Sequence, residues 1–158
     1  MSAQNLSSFP ARFAAQINDA TGITNTITTA GTVQELKGAL FLEVLNTLPT
    51  ALTWSAANGT LTVAKHQAAG KYLAEFFPSN TIGTNAAQKI HHIGVDGVVK
   101  GAPSSDKEAA TAVGTSAGAA VAVIDLVVGS VVTVEQDVGT NGHAITTKSG
   151  TLVLTKIG

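Results

Sequence analysis

Two adjacent histidines, His91 and His92, are the side chains most suited by type to bind a metal ion. They lie in the alternating run from Lys89 to Lys100, which predicts a β-strand. Neighbouring side chains on a strand point to opposite faces of the sheet, so the two rings cannot share one ion without a bulge. The other histidines, His66 and His143, are distant in sequence and fall in or near predicted loops. We therefore expect satisfied or exposed histidines and no bound metal.

Acidic side chains follow this strand, and their oxygens are the ligand type that calcium prefers. Asp96, Asp106 and Glu108 flank the next segment. A calcium site needs several oxygen ligands at fixed geometry, and these carboxylates lack the loop spacing that would supply them. A solvated acidic loop is the simpler interpretation.

Asp125 is the most unusual acid, because it interrupts the apolar run from Val121 to Val128. A buried carboxylate is costly unless it is paired or hydrogen-bonded. Its partner could be Lys89, Lys100 or a neighbouring subunit, or Asp125 could lie at a strand edge. Each interpretation gives it a structural role rather than a catalytic one.

No motif for a nucleophilic or phosphate-binding site stands in the structural context that its chemistry needs. The chain has no cysteine, which removes disulfides, thiolate ligands and cysteine nucleophiles together. The stretch at 114–118 has the Gly-x-Ser-x-Gly spacing of a nucleophile loop, but it lies in a glycine-rich linker with no predicted helix behind it. The stretch at 101–105 lacks the Gly-Lys-Ser/Thr ending of a phosphate loop. We expect no catalytic residue, no cofactor and no enzyme activity.

Composition excludes further classes. The chain has 158 residues and a mass of 15.9 kDa, enough for one domain with its own core. Charged residues make up 12% and the net charge is −1, so no basic surface is available for nucleic acid. No apolar run reaches about 18 residues and no secretory signal is recognisable, so we expect no membrane association and synthesis in the cytoplasm. The low charge also indicates that much of the surface is covered in an assembly.

The elements that position these residues are predominantly strands from residue 51 onward. Apolar and polar residues alternate, and Asn58-Gly59 and Asp96-Gly97 are strong hairpin-turn signals. Seven or eight short strands without intervening helices predict an antiparallel jelly-roll sandwich over 51–158. The expected strands are 52–56, 60–63, 71–77, 89–95, 98–99, 119–128, 131–138 and 151–157. Long loops are expected at 79–88, 101–118 and 139–150.

Residues 1–50 differ from the rest and are predicted to form an N-terminal arm. Phe9, Phe13 and Ile17 recur at helical spacing, and Pro10 suits a first helical turn, which predicts a short helix over about 10–19. Extended segments follow. The stretch 33–48 fits either period four or a buried strand, with strand favoured at 40–46.

Several short motifs resemble the jelly roll shared by tumour necrosis factor and the complement globular heads. Trp54, Gly59, Val63, Gly70 and Tyr72 follow one another in the order of that family's early strands. Residues 124–134 resemble its hairpin of leucine, glycine-aspartate and alternating valines, with serine where aspartate is usual. Residues 149–154 resemble its last strand, so the resemblance covers roughly 52–158.

The resemblance implies a homotrimer packed around a threefold axis. Tyr72 and Phe76, with Trp54 nearby in the motif, are then candidates for the trimer axis. The alternative is that these side chains belong to the core of a single sandwich. The same jelly roll is common in phage capsid decoration (cement) proteins, head fibres and tail-fibre tips, which a short, weakly charged, cysteine-free chain resembles.

These observations predict a non-enzymatic virion protein, made in the host cytoplasm and located on the outer surface of a capsid. Its partners would be two further copies of itself and the major capsid protein shell. Phe9, Arg12, Phe13 and Ile17 would anchor it to the shell, although the same helix could instead cover the open end of its own sandwich. The alternative function is a trimeric fibre-tip or head module whose loops bind a carbohydrate or a cell-surface receptor.

Overall fold

A computed structural model describes residues 10–83, 88–107, 118–138 and 143–158. Within these ranges the chain forms strands and no α-helix, with one turn of 3-10 helix at His66–Ala68. The strands are β1 Arg12–Ile27, β2 Gln34–Glu35, β3 Phe41–Asn46, β4 Leu52–Ser55, β5 Thr60–Val63, β6 Gly70–Gly83, β7 Gln88–Val95, β8 Val98–Lys107, β9 Ala120–Leu126, β10 Val131–Val138 and β11 His143–Lys156.

Antiparallel pairing joins these strands into two sheets that pack face to face. Sheet A contains β3, β1, β11, β6 and β9 in spatial order. Sheet B contains β8, β7, β10, β5 and β4, with the short β2 paired to β10. One residue pair, Ala102 with Val121, connects β8 to β9 where the sheets meet. This architecture confirms the predicted all-β jelly roll.

The core between the sheets is built from the inward-facing side chains of both. Tyr72 and Phe76 from β6 and Leu152 from β11 are fully buried on the sheet A side, and Val132 from β10 faces them from sheet B. Each large apolar side chain buried in this way contributes about 1.5–3 kcal/mol to folding. The alternation that predicted these strands is therefore the pattern that fills the core.

The predicted helix over 10–19 is wrong, because this segment belongs to the long strand β1. Phe13 and Ile17 are fully buried, and so is Ala15 between them. A spacing of four places residues on one face of a helix, but four is also an even number, which places them on one face of a strand. Ala15 completes the period of two but is too small to reveal it in the sequence.

The N-terminal segment is also part of the sandwich rather than a separate arm. β1 lies between β3 and β11 and pairs with both, so its main chain is hydrogen-bonded on two sides. The predicted strand at 40–46 is confirmed as β3. Residues 1–9 lie outside the described residues, and Phe9 is among them.

The two predicted hairpin turns have different outcomes. Asp96 and Gly97 both have positive φ, 52° and 76°, as the two-residue turn between β7 and β8 requires. Between β4 and β5 only Gly59 has positive φ, 63°, and its amide donates to the Ala56 carbonyl at 3.2 Å. Asn58 therefore sits in a four-residue loop rather than in the expected two-residue turn.

Two predicted loops begin as strand. β6 continues through Pro78 to Gly83, with register shifts at Ser149 and Gly150 on the facing strand that accommodate the proline. β8 continues to Lys107, so the expected loop at 101–118 is wrong over its first part. Residues 84–87, 108–117 and 139–142 lie outside the described residues. The segments expected to carry carbohydrate or receptor recognition are thus partly sheet.

The chain crosses from sheet A to sheet B after β9. The hairpin that residues 124–134 resemble is not formed, because β9 pairs with β6 and β8 whereas β10 pairs with β7, β5 and β2. The apolar run from Val121 to Val128 is not buried throughout, since Val123 is 61% exposed. Only one face of sheet A meets the core, so alternate residues of β9 face outward.

Candidate functional site

The predicted capsid anchors are not an exposed apolar surface. Phe13 and Ile17 have no exposed area and lie in the core, so they are not available to a partner without unfolding β1. Arg12 is exposed at the start of β1. Phe9 lies outside the described residues. The anchoring role of Phe13 and Ile17 is therefore wrong, and that of Phe9 and Arg12 stays a prediction.

The predicted axis residues lie inside the single chain. Tyr72 is fully buried, its hydroxyl donates to the Ala68 carbonyl at 2.8 Å, and burial raises its pKa. Phe76 is fully buried as well. Trp54 is partly buried against Phe41, with ring centroids 4.9 Å apart, and its indole nitrogen donates to the Phe41 carbonyl. Of the two interpretations, the structure supports the core and not the axis.

Exposed apolar side chains lie on the outward face of sheet A. Leu42 and Leu45 on β3 are 56% and 44% exposed, Phe77 on β6 is 44% exposed and Val123 on β9 is 61% exposed. Strand register places each of them on the outward face of the sheet, together with the half-buried Leu73. We call these five residues the sheet A apolar face.

Charged side chains lie on this side of the sheet too, and the half-buried Glu75 stands between Leu73 and Phe77 on β6. Lys71 and Asp125 pair across β6 and β9, with 3.8 Å between Nζ and Oδ1, and the Asp125 side chain is 77% exposed. Asp125 is thus an exposed residue with a weak ion pair, not a buried acid paired with Lys89 or Lys100. Its position in an apolar sequence run follows from the outward face of β9.

A polar network crosses the core and joins the two sheets. Asn25 Nδ2 donates to the Glu35 carbonyl at 3.0 Å and to Gln136 Oε1 at 2.7 Å. A backbone carbonyl only accepts, so this contact fixes the orientation of both amides. Gln136 Nε2 then donates to Thr147 Oγ1 at 2.7 Å and to His91 Nε2 at 3.1 Å.

The ring of His91 is consequently a neutral acceptor at Nε2. Its other nitrogen, Nδ1, carries the proton and faces Ser104 Oγ at 3.4 Å. His91 is fully buried, and burial lowers its pKa to about 3, with smaller contributions from the nearby charges of His92 and Lys89. The ring is a structural element of the core, held by Gln136 at one nitrogen and by Ser104 at the other.

A second polar group lies on the outward face of sheet B. Glu135 on β10 is only 3% exposed, and its Oε1 accepts a hydrogen bond from Thr133 Oγ1 at 3.1 Å. Oε2 has no hydrogen-bond partner, and neither has Nδ1 of His92, the residue opposite Glu135 on β7. The alternation in β10 correctly placed Glu135 on the outward face, but it gave no sign that this face is covered.

The acids considered for calcium do not converge. Asp96 lies in the β7–β8 turn, where its carboxylate accepts from the Val131 amide at 2.7 Å. The side chains of Asp106 and Glu108 lie outside the described part of the structure. Among the described residues, no group of three histidines or acids comes close enough to hold a metal ion. No helix in the described ranges is long and apolar enough to cross a membrane.

Comparison with known proteins gives structural matches only. No family model and no curated protein matches the sequence. The globular domain of zebrafish complement 1qA protein aligns with a TM-score of 0.60 at 11% identity, over 94% of this chain and 98% of that one. Eiger TNF from S. frugiperda aligns with a TM-score of 0.52 at 12% identity, over 94% of each chain. Murine APRIL at pH 5.0 gives 0.51 at 14% identity, over 92% of this chain and 99% of that one.

These matches establish the fold. The chain is a jelly roll like those of tumour necrosis factor and the C1q globular domains, as the motifs around Trp54 and Tyr72 predicted. The match spans nearly the whole of this chain, including β1 and β3, which the sequence had assigned to an arm.

Proposed function

We propose that this chain is a non-enzymatic virion structural protein that forms a homotrimer and decorates the outer surface of a phage capsid. The observation that carries the trimer is the sheet A apolar face. Exposed apolar side chains scattered singly are normal on a monomer, whereas several on one face of a sheet are typical of an interaction surface. A second and third copy are the proposed occupants, because the fold resembles a family whose members are mostly trimers.

Attachment to a capsid is supported by the composition of the chain. Only 12% of the residues are charged, which suits a protein whose surface is largely covered after assembly. A trimer on a shell of identical subunits would bind through three equivalent contacts, so weak individual contacts would sum to a high avidity. Of the predicted anchor, Arg12 is exposed and Phe9 lies outside the described residues, so both stay candidates for the contact with the shell.

Val123→Asp tests the trimer on this surface. Val123 is 61% exposed in the single chain, so a charged side chain there leaves the fold intact but would be buried without a partner in a trimer. We expect light scattering on a sizing column to give three times the chain mass for the wild type and a monomer mass for the variant.

Val98→Asp is the matched control. Val98 is 54% exposed at the start of β8, in sheet B, and lies away from the proposed interface. It should leave the mass of a trimer unchanged. If Val123→Asp and Val98→Asp both remain trimeric, the interface lies elsewhere. A monomeric wild type would overturn the trimer itself.

Co-sedimentation with phage capsids tests the finer proposal. The full chain should sediment with capsids that lack their decoration protein, and a chain without residues 2–9 should remain trimeric but stay in the supernatant. Sedimentation of both chains would remove residues 1–9 from the attachment. A full chain that binds glycans but no capsid would favour the fibre-tip function instead.

A further inference from the structure

The outward face of sheet B contains a cavity of about 440 Å³ that the proposed assembly does not use. Its lining includes Gln34, Glu35 and Lys37 from the β2 segment, Gly97 from the β7–β8 turn, and Glu135 from β10. The volume is within the range of sites for small molecules. Apart from Asn25 of β1, its lining does not come from sheet A, so a trimer formed through the sheet A apolar face leaves the cavity open.

Glu135 is the chemically distinctive residue of this cavity. Oε1 contacts Thr133 Oγ1, and a side chain at Gly94 would collide with the same carboxylate oxygen, so the absence of a Cβ there makes room for it. Oε2 is buried without a donor. A buried carboxylate oxygen without a partner is costly, which means that a donor supplied from outside would be bound favourably.

The neighbouring groups define which donor fits. His92, directly across from Glu135, also has a buried Nδ1 without a partner, but His92 does not line the cavity. Lys37, the cation in the lining, is directed to Glu35, with 3.6 Å between Nζ and Oε2. The lining therefore has two carboxylates against one ammonium, and its excess charge is negative.

We propose that this cavity binds a primary alkylammonium group carried by a small organic molecule, with Glu135 as its anionic partner. An ammonium has three donors and no acceptor, so it can donate to Glu135 Oε2 without bringing an acceptor that needs a partner of its own. Charge-assisted hydrogen bonds of this kind are stronger than neutral ones. The inference is independent of capsid attachment and would hold for a trimer or a monomer.

Titration with three molecules of similar shape and different charge tests the proposal on the full chain. We expect n-butylamine, as its ammonium ion, to shift NMR signals near Glu135 saturably, while 1-butanol and butyrate cause no saturable shift. Glu135→Gln keeps the shape of the side chain and removes its charge, and it should weaken amine binding by about 10- to 100-fold. The same variant should melt no lower than the wild type, because it removes a buried charge.

Glu43→Gln is the control variant, since Glu43 is an exposed acid on β3 in the other sheet and loses the same charge. It should bind n-butylamine like the wild type. Equal binding of the amine by Glu135→Gln, or equal binding of butanol and butylamine by the wild type, would overturn the proposal. So would the absence of saturable amine binding, which would leave an ordered water as the donor to Glu135.

Discussion

Burial of His91 makes the stability of this protein depend on pH in a way that a single variant can isolate. In the folded chain the pKa of His91 is about 3, whereas its ordinary value is 6.5. Burial is the main cause, followed by the charges of His92 and Lys89. The hydrogen bond from Gln136 to Nε2 acts in the same direction, because it requires an unprotonated ring nitrogen.

The sign follows from which state binds the proton. Below pH 6.5 the unfolded chain protonates this histidine and the folded chain does not, so acid favours unfolding until the pH approaches 3. The contribution of His91 to stability is thus complete above pH 6.5 and is lost as the pH falls towards the folded-state pKa. Well below pH 6.5 each pH unit costs about 1.4 kcal/mol. Because the unfolded histidine is only half protonated at pH 6.5, the change from pH 6.5 to pH 4.5 costs about 2.3 kcal/mol.

Urea unfolding at a series of pH values and one protein concentration measures this loss. His91→Gln removes the titrating ring and keeps a neutral polar side chain. Between pH 6.5 and pH 4.5, the wild type should therefore lose about 2–3 kcal/mol more unfolding free energy than the variant. His66→Gln removes an exposed histidine and should retain the wild-type pH dependence. Identical pH dependence for the wild type and His91→Gln would refute the reasoning.

Two further predictions concern β1. Phe13→Ala should lower the free energy of unfolding by about 3–5 kcal/mol because it opens a cavity in the core, whereas Val98→Ala at an exposed position should change it by no more than about 0.5 kcal/mol in urea titrations. Deleting residues 2–22 should abolish the folded state, because β3 and β11 lose most of the strand between them. Loss of NMR chemical-shift dispersion would show this, and a folded trimer of the shortened chain would contradict the position of β1 in sheet A.

The sequence predicted the fold where one face of a strand is polar and the other apolar. β5 and the C-terminal part of β11 follow this rule, whereas β7 buries Lys89 and His91 on its inner face. The turn at Asp96-Gly97 is recognisable because two consecutive residues need positive φ. The rule is ambiguous in β1, where Phe13 and Ile17 fit a helix and a strand equally well. Pairing with β3 and β11 decides the outcome, and that pairing is a long-range property which no local pattern contains.

The candidate sites were less predictable for a related reason. Glu135 follows the alternation of β10 and was expected on a polar face, but β2 pairs alongside and the cover of this face comes from residues distant in sequence. Gln136 and Asn25 contact each other across the core although 111 positions separate them. The face that a polar residue occupies follows from the alternation of side chains along its strand. Its burial depends on contacts between distant residues.

The mass of the protein in solution is the most direct test of the proposed assembly. Light scattering on a sizing column should give three times the 15.9 kDa of one chain for the wild type and 15.9 kDa for Val123→Asp. Those two results together would assign the trimer contact to the sheet A apolar face. A wild-type mass of one chain at all concentrations would contradict the homotrimer and with it the proposed role in a capsid.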